Sequence, residues 1–80
     1  MKLALATPET VVFEGAVSTL TAPGELGYFQ ILPNHAPLLT TLKEGKLTFS
    51  TRSGTSHYTI TGGFLEFAHN EITLLADSIL

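Results

Sequence analysis

The chain has no cysteine and no tryptophan, only four basic residues, and charged side chains at just 14% of its 80 positions. Each shortage removes a class of function. Without cysteine there can be neither disulfides nor thiolate metal ligands. Four Lys and Arg against seven Asp and Glu leave a net charge of −3, the wrong sign for gripping a nucleic-acid backbone. No apolar run approaches the ~18 residues of a membrane-spanning helix. The start, Met1-Lys2-Leu3-Ala4-Leu5-Ala6, is too short an apolar stretch for a signal peptide, and cleaving one would consume a strand. The chain therefore reads as cytosolic and mature.

A globular chain usually carries about a quarter charged residues. Here 14% are charged and 44% hydrophobic, so part of the surface is expected to be covered. A domain of this size buries roughly 60% of its unfolded surface and gains stability from a partner.

What is present centres on Ala22 to Thr41, APGELGYFQILPNHAPLLTT. Pro23-Gly24 is expected to open it with a turn, and Pro33-Asn34-His35-Ala36-Pro37 to bend it sharply. Proline fixes φ and lacks an N–H, so each one should end a sheet ladder or lie at its edge. Between the bends, Tyr28-Phe29-Gln30-Ile31-Leu32 is strand-like. Adjacent residues of a strand face opposite sides, so one of Tyr28 and Phe29 can be core while the other is exposed, covered by a loop, or in contact with a partner. The low charge favours the partner.

Elsewhere the pattern is mostly period-2. Leu3 and Leu5 alternate with polar or small residues. Val11 to Glu14 forms a short strand closed by Gly15, and Val17 to Thr21 another that ends at Pro23-Gly24. Leu38, Leu39 and Leu42 could line a helix, but Pro37, Thr40 and Thr41 favour a strand. Leu47 and Phe49, Tyr58 and Ile60, Leu65 and Phe67, and Ile72, Leu74 and Ala76 then give four inward-facing sets. Ser53-Gly54 signals a hairpin, Gly62-Gly63 a bend or bulge, and His69-Asn70 a turn. Short strands at ~8–12-residue spacing predict one all-β sandwich.

No catalytic constellation appears. His35, His57 and His69 have no ligand-like spacing. His57 falls on a polar strand face and His69 in a turn, while His35 is expected to hydrogen-bond nearby backbone inside its corner. No serine lies in a G-x-S-x-G elbow, no carboxylate pair shares a strand face, and Gly24-Glu25-Leu26-Gly27 does not continue into a phosphate loop. No cofactor and no metal are expected.

The run Ile31-Leu32-Pro33-Asn34-His35-Ala36-Pro37-Leu38-Leu39-Thr40, with Thr61-Gly62-Gly63-Phe64-Leu65-Glu66, Leu75-Ala76-Asp77 and the opening Pro8-Glu9 before Val12-Phe13-Glu14-Gly15, resembles the epsilon subunit of F-type ATP synthase. The likeness covers essentially all of residues 1–80, as that family's N-terminal β-sandwich domain. It implies two five-stranded sheets and a non-catalytic place in the rotor. There the domain would link the gamma subunit to the c-ring of a proton-translocating synthase, and reach the alpha/beta head through the assembled complex. It implies a peripheral location on the cytoplasmic face of a bacterial inner membrane. By position, Gly24, Glu25, Gly27, Tyr28, Phe29 and Gln30 would face the c-ring, and Asn34, His35, Ala36 and Pro37 the gamma subunit. The letters Gly24-Glu25-Leu26-Gly27 stand three residues earlier than the family's loop when counted back from His35. Two candidates therefore remain for its acidic contact, Glu25 by letter and Tyr28 by register. The family's C-terminal helices, with their inhibition of ATP hydrolysis and ATP binding, are not among these residues, and neither property is carried over. The competing expectation is a free-standing module for a peptide or carbohydrate. It is weakly supported by a chain with no Trp and two Tyr.

Overall fold

Alternation of inward apolar and outward polar side chains produces strands throughout the computed structural model, which describes residues 1–80. They are β1 (Lys2–Ala6), β2 (Val11–Ala16), β3 (Thr19–Gly24), β4 (Gly27–Ile31), β5 (Leu38–Leu42), β6 (Gly45–Thr51), β7 (Gly54–Ile60), β8 (Gly63–Ala68) and β9 (Glu71–Ala76). Hydrogen bonding follows one path, β2-β1-β9-β8-β5-β3-β6-β7, with β4 added beside β3. Only β1 and β9 run parallel. The path narrows in its middle to a single pairing, Gly24 with Leu42, between β3 and β5.

That narrow junction lets the sheet fold over on itself. Phe13 of β2 reaches Phe49 of β6 with ring centroids 4.8 Å apart, although the two strands lie far apart along the path. Five strands (β2-β1-β9-β8-β5) therefore face four (β4-β3-β6-β7), which corrects the expected two sheets of five. The missing strand has a local reason. Ile79 forms only an isolated bridge to Ile60, so the last residues close the open side without extending a ladder.

Fifteen buried hydrophobic residues fill the space between the layers, and no polar or charged residue is buried with them. Leu47, Phe49, Leu65, Phe67, Ile72, Leu74 and Ala76 all belong to this core, as their alternation requires. Tyr58 stacks on Phe49 with centroids 5.9 Å apart.

The sequence expectation fails in small ways around β3. The strand starts later than Val17 and continues through Pro23 to Gly24. Pro23 is accommodated because β6 pairs only with Thr19 to Thr21 and β5 only with Gly24. No ladder partner waits for the missing N–H in that gap. The turn consequently falls two residues later, at Glu25-Leu26. Strand β2 likewise runs past Gly15 to Ala16, whereas Leu38–Leu42 is a strand as favoured.

The other turns follow their residues. Thr51 and Gly54 close a hairpin around Arg52-Ser53. His69 and Asn70 have φ of 52° and 62°, the two positive values that a type I′ turn needs. Gly63 adopts φ of 156° against β9, where an added Cβ would collide with the Leu75 carbonyl oxygen and lie 3.0 Å from Ala76 Cα.

Two substitutions test this packing. Phe67, 1% exposed, should cost about 2–5 kcal/mol as Phe67→Ala, a large share of the roughly 5–15 kcal/mol of a small domain. Urea denaturation measures it, and an unchanged midpoint would refute the strand phase. Gly63→Ala should destabilise despite adding apolar surface, because backbone rather than a movable side chain blocks the new methyl.

Candidate functional site

Strand β4 leads from the turn after Gly24 to the Pro33–Pro37 bend and β5 leads away from that bend, so the central stretch places its two bends at opposite ends of these strands. At one end Gly24 pairs with Gly27 around the two-residue turn Glu25-Leu26. Both turn residues are exposed, Leu26 completely. Tyr28 then points outward at 58% exposure, while Phe29 packs partly against the core, the opposed orientation that strand geometry dictates. Gln30 is exposed again.

Backbone bonds fix this tip to the turn between β5 and β6. The Lys43 N–H donates to the Pro23 carbonyl at 2.9 Å, and the Glu25 N–H to that of Thr41 at 3.3 Å. The Tyr28 hydroxyl accepts the Lys46 N–H at 2.9 Å. Of the six residues assigned to this end, Glu25, Tyr28 and Gln30 are exposed, whereas Gly24 is buried and Gly27 and Phe29 are half-buried.

At the other end, Asn34, His35, Ala36 and Pro37 are all exposed. Asn34 has φ of 67°, and its N–H donates to Asn70 Oδ1 in the β8–β9 turn at 3.1 Å. The His35 N–H donates to the Leu32 carbonyl at 3.1 Å. Its Nδ1 lies 2.6 Å from the Ala36 carbonyl oxygen, which can only accept, so Nδ1 carries the hydrogen. The ring makes a T-shaped contact with Phe67, centroids 5.9 Å apart and planes at 85°. His35 is therefore a structural residue that holds the corner over the core. The length of β5, on the order of 13 Å, separates corner from tip.

One surface escaped the sequence reading. Strand register aligns Thr41, Phe64, Leu75, Ala6 and Val11 across β5, β8, β9, β1 and β2, on the outer face of the five-stranded layer. Phe64 is 44% exposed, Leu75 46%, Val11 65% and nearby Leu39 64%. A shallow groove lined by Pro37, Leu38, Leu39, Glu66, Phe67 and Ala68 connects this stripe with the His35 corner. The signal was available as doubled apolar letters, Val11-Val12, Leu38-Leu39, Phe64-Leu65 and Leu74-Leu75, which place apolar groups on both faces of a strand.

No group of three or more His, Asp or Glu side chains comes together in a way that could hold a metal ion. The geometry offers surfaces. The profile of the ATP synthase delta/epsilon chain β-sandwich domain matches residues 1–80. The chain belongs to this family. It is 42% identical over 77 residues to the ATP synthase epsilon chain of Pelotomaculum thermopropionicum, covering 96% of this chain and 58% of that one. It is 40% identical to the epsilon chain of Caulobacter vibrioides and 44% to that of Chlorobium limicola, and spans 90% of each. Among solved structures, a chain of the Tetrahymena thermophila mitochondrial ATP synthase central stalk/c-ring superposes with a TM-score of 0.84 at 20% identity, covering all of this chain and 65% of that one. A chain of the Euglena gracilis mitochondrial ATP synthase superposes at 0.89, also at 20% identity, covering 98% of this chain and 51% of that one. Both show the same fold.

The Asn34–Asn70 contact can be removed without disturbing the turn. Asn70→Gly keeps the positive φ but deletes the acceptor for Asn34. It should cost about 1 kcal/mol and speed hydrogen exchange at the Asn34 amide, while exchange in β6 and β7 stays as it was. Unchanged protection at Asn34 would show that the corner is held by other contacts.

Proposed function

We propose that this domain is a non-catalytic rotor element of the central stalk of an F-type, proton-translocating ATP synthase. It links the gamma subunit to the c-ring and so couples ring rotation to ATP synthesis in the alpha/beta head. The observation that carries the reading is geometric: one rigid sandwich exposes two unlike surfaces at opposite ends of the same pair of strands. Family membership says which machine uses such a body. The solved structures it resembles come from assemblies described as a central stalk/c-ring and as OSCP/F1/c-ring, and its relatives are bacterial epsilon chains.

In this reading the tip, through Glu25, Tyr28, Gln30 and their glycine-supported backbone, faces the c-ring. The corner Asn34-His35-Ala36-Pro37 faces gamma, and the groove beside it leads to the apolar stripe. A coupling element transmits torque only if it does not deform, and a close-packed interior with no buried polar group resists deformation. The low charge and the exposed Phe64, Leu75, Val11 and Leu39 fit a body whose surface is partly covered in the assembly. Such a protein sits at the cytoplasmic face of a bacterial inner membrane by attachment to the ring, and it needs no cofactor or metal because it performs no chemistry.

Cysteines at Leu26 and His35, treated with a short photoactivatable thiol reagent in assembled complexes, should mark the c-ring subunit and gamma respectively. Labelling of the catalytic beta subunit from both positions would reverse the orientation. Failure of the chain to co-purify with gamma and the ring would remove the stalk role altogether.

A further inference from the structure

A sheet edge exposes main-chain N–H and C=O groups that another strand can take, and proteins protect such edges with charge, proline, bulges or a covering segment. Three edges are open here, β2, β4 and β7. Two of them are protected. Strand β2 carries Glu14 and an irregular register beside β1. The tail lies along β7, with Ile79 bridged to Ile60 and the Leu80 N–H donating to the Thr59 carbonyl at 2.8 Å. Strand β4 has neither safeguard. From Leu26 to Leu42 the chain contains no Asp, Glu, Lys or Arg, and no strand lies beyond β4. Because Gly24 and Gly27 close the hairpin, Phe29 and Ile31 bond to β3, and the N–H and C=O of Tyr28 and Gln30 point away from it.

The side chains along this edge are largely apolar and incompletely covered. Leu26 and Tyr28 are exposed, Leu32 is 48% exposed, and Phe29 is half-buried at the margin of the core. We propose that β4 is a self-pairing edge, where two copies of the free chain join as antiparallel strands about a twofold axis. One register engages all the open main-chain groups of both copies: Tyr28 pairs with the second copy's Gln30, and Gln30 with its Tyr28. That register is self-complementary. Phe29 meets its own counterpart at the axis on the inner face, in a non-hydrogen-bonded pair with Cβ atoms roughly 4.5–5.5 Å apart. Leu26 falls opposite Leu32, and no charged side chain enters an opposing pair. The added strand also gives the four-stranded layer the fifth strand that it lacks. Such a contact covers less than the ~800 Å² per partner of a stable complex, so the dimer is weak. It belongs to the unassembled chain, because Tyr28 and Gln30 are residues that the stalk reading turns towards the ring.

Sedimentation equilibrium of the chain alone, from about 10 µM to about 1 mM, should show its mass rising from one copy towards two. Over the same range the Tyr28 and Gln30 amides should exchange with solvent several-fold more slowly, while amides along β2 and β7 keep their rates. Gln30→Pro removes an N–H that β3 does not use, so the hairpin ladder stays whole, and this variant should remain monomeric throughout. Leu26→Glu, in the exposed turn, sets a carboxylate against the second copy's Leu32 and should weaken association about tenfold or more. It decides the matter if the proline variant does not fold. A chain that stays monomeric at about 1 mM overturns the proposal. So does association that survives these substitutions, or that protects β2 or β7, or that buries Phe64 and Leu75 of the outer stripe instead. The stalk reading is tested separately, in the assembled complex, and stands or falls apart from these results.

Discussion

The fold turns on one pairing, Gly24 with Leu42. It is the sole ladder contact that joins the five-stranded layer to the four-stranded one, and it must occur where the chain is also about to reverse direction. No side chain could stand at Gly24. A Cβ there would meet the Gly27 carbonyl oxygen and the Phe29 ring at 2.9 Å, so β5 could not approach without displacing the hairpin or the core. Because the hinge of the sandwich and the base of the exposed tip are one residue, the orientation of the tip is inherited from the packing of the whole core.

The neighbours of that junction show why a proline could be used in mid-strand. Pro23 lies in the gap where pairing passes from β6 to β5, so its missing N–H leaves no hole in a ladder, and its carbonyl is taken up by Lys43. Its fixed φ stiffens the segment that leads into the tip. The His35 corner uses the same economy of parts, since the imidazole satisfies a local carbonyl and packs perpendicular to the Phe67 ring. Both ends of the central stretch are thus preorganised by short-range chemistry and then locked by contact with a distant strand.

That combination explains what the sequence could reveal. Alternation in β6, β8 and β9 identified Phe49, Phe67 and Leu74 as core because a period of two leaves no other way to bury them. Tyr28 and Phe29 were legible as an opposed pair for the same reason. The turn at Glu25-Leu26 was missed because Pro23-Gly24 is a strong local turn signal, and only the arrangement of β5 and β6 makes it a strand. The outer stripe was hidden because reading each doubled pair for its inward residue treats the other letter as incidental. Long-range pairing decides that Phe64, Leu75 and Val11 line up on adjacent strands, and no local pattern carries that register. The count of strands failed similarly: Ile79 has strand-like character, but the tail past Ala76 is held by one bridge.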